Sequence, residues 1–257
     1  MNAMPALTGW SWVKRGFAYF KQQPAEMLSL FFAYMFCLLL AGIIPLLGAV
    51  LPFLLMPVFS MGFMQACQDI DLKKKVTLPV LFSGFRAKRW VALINLGVLF
   101  LLAMTIAVAA SKLVGNAELF TVLTSTEPPD PKTVDAGNLM QGMLVMGLVF
   151  LPALMAFWYA GPLILWQQMS VAKALFFSFL SVKRAWRVFL VYCLCWMLLA
   201  GLLPALILEV LVAIAGQEAM LLLFMLPVLS VLTTIRYCSF YPSYTDVFGA
   251  PDVETQA

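Results

Sequence analysis

From Met27 to Gln65 the chain runs 39 residues without a charged side chain. As one helix at 1.5 Å per residue this stretch would be about 58 Å long, roughly twice the hydrocarbon thickness of a bilayer. It must therefore fold back, and Pro45, Leu46, Leu47 and Gly48 supply the turn chemistry. The spacing predicts spans at about 27–45 and 48–66, with Pro52 and Pro57 inside the second as kinks.

A chain of 257 residues that is 63% hydrophobic and 11% charged, with a mean hydropathy of +0.97, cannot hide its apolar surface in one water-facing core. Lipid must solvate the remainder, which requires helices whose backbone bonds close internally. The alternating pattern of a membrane barrel is absent. The expected fold class is all-α, an integral membrane helical bundle. Further spans are predicted at about 90–112, directly behind Arg86, Lys88 and Arg89, then at 139–167, 188–213 and 220–240. Residues 1–247 read as one membrane domain, the closing YPSYTDVFGAPDVETQA as a polar tail, and 248–257 as its flexible cytoplasmic part. Residues 113–138, with Pro128, Pro129, Pro131 and four carboxylates against Lys132, read as an extended periplasmic loop. The first apolar run begins near Met27, too deep in the chain and too long for a cleaved leader, so an uncleaved first span is expected.

Basic residues set the direction of threading. The N-terminal segment, residues 68–90, residues 168–187 and the C-terminal end hold 14 of the 16, leaving Lys112 and Lys132 for the alternate connections. Positive charge stays inside, which predicts six transmembrane helices with both termini cytoplasmic.

Each pair of spans follows a segment with apolar residues at helical spacing. Trp10, Val13, Phe17 and Phe20 share a face in the first. Leu78, Leu81, Phe82 and Phe85 share one in the second, with Thr77 as cap, and Leu175, Phe179, Val182 and Trp186 do so in the third. Three amphipathic interfacial helices are expected. Prolines 57, 162 and 227 lie 45, 72 and 41 residues after Trp12, Trp90 and Trp186, and the middle interval contains the 113–138 loop. A threefold hairpin repeat follows, an odd number that does not fit paired inverted transporter halves.

Little in the chain can do chemistry. There is no histidine, which removes HExxH sites and every serine–histidine or cysteine–histidine nucleophile. Cys37, Cys67, Cys193, Cys195 and Cys238 have neither redox nor zinc spacing and read as packing thiols. No phosphate-binding or nucleophile-elbow motif occurs, and Asp69-x-Asp71 reads as an interfacial charge pair with Lys73–Lys75. The candidate intramembrane polar residues are Gln65, Asn95, Gln167, Gln168, Glu209 and Arg236. Glu209 and Arg236 are placed near span ends, and a cluster of amides at Gln65 and Gln167–Gln168 is able to bind a headgroup.

The lead-in GWSWVKRGFAYFKQQP, the Pro45–Gly48 turn, the basic segment before the third span and the closing SYTDVFG resemble an uncharacterised family of proteobacterial inner-membrane proteins with about six spans. The pattern is more distantly similar to the membrane domain fused ahead of some glycerophosphodiester phosphodiesterases, whose catalytic domain is missing here. The resemblance implies a bacterial inner-membrane location and a helical architecture, but no activity. The expectation is a non-enzymatic membrane module without cofactor or metal. Anionic lipid headgroups are its expected partners, together with another membrane protein or a second copy, and nucleic acid is not among them. Lys14, Arg15, Lys21, Arg86, Lys88, Arg89, Lys183, Arg184 and Arg187 are the candidate contacts. The alternative is a transporter or flippase for a lipid or apolar small molecule, opening at its proline kinks.

Overall fold

A computed structural model describes residues 4–45, 47–113, 119–120, 122, 135–215 and 218–251. Most of the periplasmic-loop expectation, at 113–138, lies outside these residues, as does the tail beyond 251.

Helix α1 (Thr8–Gln22) stops at Gln23, whose extended φ of −143° is what a following proline imposes. Pro24 then opens α2 (Pro24–Ile43), where its missing N–H costs nothing. The same effect ends α2, because Ile44 is extended ahead of Pro45. Gly48 N–H then donates to the Ile44 carbonyl at 2.7 Å, and a Cβ on Gly48 would collide with the Gly42 carbonyl. Helix α3 (Leu51–Asp71) starts with Pro52 in its first turn, so Pro52 begins the helix and only Pro57 lies inside it.

No amphipathic helix follows. Residues Leu78–Phe82 form a 3-10 turn and Ser83–Arg86 a single helical turn, α4. Leu81 is fully buried against α3 while Leu78 and Phe82 point outward, so the four apolar residues do not share one face. Helix α5 (Trp90–Leu113) and helix α6 (Ala136–Phe157) come next, the latter capped by Asp135 accepting from the Gly137 N–H at 2.8 Å.

The chain breaks at Trp158–Tyr159 before α7 (Ala160–Leu165). Pro162 is the cause, since its ring opposes the carbonyl four residues back, at Trp158. Ser178 repairs the break: its Oγ accepts from the Tyr159 N–H at 2.9 Å and donates to the Met155 carbonyl at 2.9 Å. Ser178 belongs to α8 (Val171–Arg184), which lies against α6 and α7. Then come α9 (Trp186–Trp196), a π-helical turn at Met197–Leu202, α10 (Leu203–Ala215) and α11 (Glu218–Phe248).

Among the described residues five stretches are long and apolar enough to cross a membrane: Pro24–Ile43, Leu51–Asp71, Trp90–Lys112, Gly137–Leu165 and Trp186–Ala213. Their outer faces carry exposed apolar side chains, including Leu39 at 63%, Ile106 at 63% and Leu148 at 74%. Water would penalise such a belt and hydrocarbon would not.

The tightest packing is displaced to one end, termed here the basic end. There Trp12, Tyr159, Tyr241 and Tyr244 are the largest of the fully buried side chains. Helix α1 is part of this core. Its buried stripe is Gly9, Trp12, Val13, Gly16 and Tyr19, whereas Trp10 faces out. A Cβ on Gly16 would lie 2.6 Å from Ser239 Cβ, so glycine sets how closely α1 approaches α11. The closing YPSYTDVF is likewise helix and core. At 31 residues α11 is about 46 Å long, some 16 Å more than a hydrocarbon layer needs. Tyr237, Tyr241, Tyr244 and Phe248 recur every three or four residues along that excess and turn inward together. Pro242 frees the Cys238 carbonyl within the helix, and the buried Cys67 thiol lies 3.9 Å from it as donor. All five cysteines are free thiols; Cys67 and Cys238 are buried, and Cys193 faces outward.

Candidate functional site

A cavity of about 400 Å³ opens at the basic end between α3, the 3-10 turn, α4 and the end of α7. Its floor is apolar, from Met61, Leu165 and Trp166. Its polar groups are Gln65, Thr77, Ser83, Arg86, Lys88 and Gln168, with no carboxylate among the described lining residues.

The walls are held from behind. Trp166 is buried, and its ring lies 5.0 Å from Tyr244 and 6.1 Å from Tyr241 in edge-on contacts. Gln167 donates to the Tyr244 hydroxyl at 3.2 Å, while burial, the larger influence, pushes that phenol up to about 12. Arg89 reaches across to donate to the Met169 carbonyl at 3.1 Å, joining the start of α5 to the turn after α7. Gln168 closes that turn in the left-handed region, with φ of 52°, and its amide donates to the Leu165 carbonyl at 2.7 Å. Glycine is the usual residue at such a helix end, and a side chain there costs on the order of 1 kcal/mol.

On the opposite wall Gly62 sits against the backbone of Leu81, and Gly84 against that of Val58. These two close approaches seat the 3-10 turn and α4 on α3. Thr77, at the N-cap of the turn, makes no capping bond with its side chain. Gln65 donates to Asp69 one turn along α3, at 3.3 Å.

The structure therefore gathers Gln65, Gln168, Arg86 and Lys88 around one cavity and disperses the other candidates. Arg15 turns inward to pair with Asp246 at 2.6 Å, and Trp12 donates its indole N–H to the same carboxylate at 2.8 Å. Burial opposes the Arg15 charge, but the Asp246 bond and charge outweigh it and leave the guanidinium above its ordinary value. Tyr19 donates to Asp71 at 2.7 Å; burial first, and this bond second, hold its phenol well above the usual range. Lys14 and Lys21 are exposed on α1, and Lys183 and Arg184 on α8. Arg187 lies 5.5 Å from the Trp186 ring. Asn95, Glu209 and Arg236 are exposed on α5, α10 and α11, away from the cavity.

Thr77, Ser83 and Trp166 lie outside the sequence-derived site, as do the carboxylates Asp71 and Asp246. Asp246 stands in a stretch that reads as polar tail, and only the tyrosine spacing around it signals a buried helix face.

The chain is 33% identical over 252 residues, 96% of its own length and 93% of the relative's, to a "probable inner membrane protein" of Burkholderia thailandensis. No family model matches it. No solved structure matches it either. The relative and the apolar helices together make this a multi-pass inner membrane protein.

Proposed function

The chain belongs to the family of that Burkholderia thailandensis inner membrane protein, and on this premise we propose that it is a non-enzymatic membrane module whose basic end faces the cytoplasm and engages anionic lipid. Helix α11 supplies the sixth span in this reading, and both termini lie on the cytoplasmic side, where positive charge accumulates.

The outward face of α8 carries the proposal. At 14 residues this helix is about 21 Å long, too short to cross a bilayer. Ala174, Ser178 and Val182 pack inward. The opposite face is one stripe, Lys173, Phe176, Phe177, Leu180, Lys183 and Arg184, all exposed. An apolar centre with cations at both ends suits a helix lying in the headgroup layer, rings among acyl chains and cations at phosphates. Of the face that the spacing of Leu175, Phe179, Val182 and Trp186 offers to lipid, Leu175 and Val182 are instead packed into the core, while Trp186 is exposed.

Lipid co-purification tests this reading. Phosphatidylglycerol is expected to be enriched with the full-length protein relative to the bulk membrane. Replacing Lys173, Lys183 and Arg184 together by glutamine is expected to lower that enrichment about fivefold or more, each cation near an anionic leaflet contributing about 1 kcal/mol. An unchanged lipid profile in the triple variant would count against it.

A further inference from the structure

We propose that the cavity between α3, the 3-10 turn and α7 is a binding site for the phosphate ester of an anionic phospholipid. This deepens the membrane-module reading and rests on it. Arg86 presents its guanidinium at a cavity that has no carboxylate among its described lining residues, and Lys88 lines the same space. Arg86 enters neither ion pair formed among the described residues, Arg15–Asp246 and Lys75–Glu26. Its planar fork fits two phosphate oxygens. Thr77 and Ser83 line the same space with hydroxyl donors, and the Thr77 hydroxyl is not used as a helix cap.

Beside these donors the surface is apolar. Met61, Leu165 and Trp166 floor the cavity, and the turn that forms one wall exposes Leu78 at 52% and Phe82 at 40%. A small hydrophilic anion would have no use for that margin, whereas the glycerol and first methylenes of a lipid would cover it. The walls are also preorganised. Arg89, Gln167 and Gln168 bond the α7 end in place, and Gln168 keeps a left-handed backbone that glycine would hold without cost.

The experiment titrates the delipidated full-length protein in detergent with phosphatidylglycerol or phosphatidylcholine and reads adducts by native mass spectrometry. Phosphatidylglycerol is expected to bind the native protein about tenfold more tightly than phosphatidylcholine. Arg86→Gln is expected to remove most of that difference, and Arg86→Lys to restore part of it. Thr77→Val, which leaves the wall packing intact, is expected to weaken binding by about threefold. The α8 triple variant keeps the cavity donors and is expected to retain this tight site. Glycerol 3-phosphate serves as the soluble arm. Failure to displace the lipid assigns the site to a membrane-borne ester, and Arg86-dependent displacement assigns the same phosphate site to a soluble one. Phosphatidylglycerol binding unchanged in Arg86→Gln and Thr77→Val overturns the site while leaving the membrane-module reading to the α8 variant. No preference between the two lipids in the native protein overturns both.

Discussion

Trp12→Ala is expected to cost about 3–5 kcal/mol, the range for emptying a buried aromatic position. At about 2–4 °C per kcal/mol for a chain of this size, thermal unfolding in detergent shifts down by roughly 6–20 °C. Trp12 is fully buried, edge-on to Phe189 at 5.4 Å and Tyr192 at 5.8 Å, and donates to Asp246. Truncation therefore opens a cavity between α1, α9 and α11 and removes one of the bonds that pin the end of α11. Trp10, two residues away and 40% exposed, provides the control. Trp10→Ala is expected to stay within about 0.5 kcal/mol of the native protein. Equal effects at the two positions would contradict the burial of the Trp12 face of α1.

Gly62→Ala is expected to lose about 1–3 kcal/mol, although the substitution adds one methyl group and improves helix propensity. The new Cβ would sit 2.6 Å from the Leu81 carbonyl oxygen and 2.7 Å from its Cα. Both are backbone atoms, so the 3-10 turn must move away from α3 and carry Thr77, Ser83 and Arg86 with it. Phosphatidylglycerol binding is expected to fall along with stability. Gly147→Ala is the comparison, since nothing lies within 4 Å of its added Cβ. There the helix gains about 0.5–1 kcal/mol. Thermal melts of the two variants side by side decide whether α3 and the turn are clamped through Gly62.

What was legible in the sequence is the part governed by bulk solvation. Apolar length, prolines and the uneven distribution of Lys and Arg are enough to specify a helical membrane protein folding back near Pro45–Gly48. Side-chain direction was less legible, because two competing stripes exist on the same helices. On α1 the aromatic stripe through Trp10 and Phe17 stands out in the sequence, yet the smaller stripe through Gly9 and Gly16 is buried, since only glycine allows close backbone approach. On α8 the inner stripe of Ala174, Ser178 and Val182 is buried for a similar reason, and Ser178 has a further task in repairing the break before Pro162.

The end of α11 was illegible for a different cause. Tyrosine, serine and threonine read as polar tail, whereas tyrosine buries its ring once its hydroxyl is bonded, as Tyr159 does to the Ser243 carbonyl at 3.1 Å. The candidate site was half legible. Gln65 with Gln168, and Arg86 with Lys88, stand out as an amide group and a basic group. That they line one cavity depends on α7 packing against α3, a contact between segments about 100 residues apart. The three segments led by Pro57, Pro162 and Pro227 are not built alike. Pro57 and Pro227 lie inside unbroken helices and Pro162 follows a break, while the lead-in segments are a packed helix, a 3-10 turn and the outward-facing α8.

The most direct test of the whole arrangement is single-cysteine labelling from outside the inner membrane, read against the background of the unmodified protein. The proposed threading puts Asp135→Cys, at the start of α6, outside the inner membrane and Lys183→Cys, at the end of α8, on the cytoplasmic side. With the outer membrane permeabilised and the inner membrane intact, an impermeant maleimide is expected to label Asp135→Cys and to leave Lys183→Cys unlabelled until the inner membrane is broken. Labelling of Lys183→Cys in the intact state, with Asp135→Cys protected, would place the basic end outside and contradict the cytoplasmic lipid-binding role.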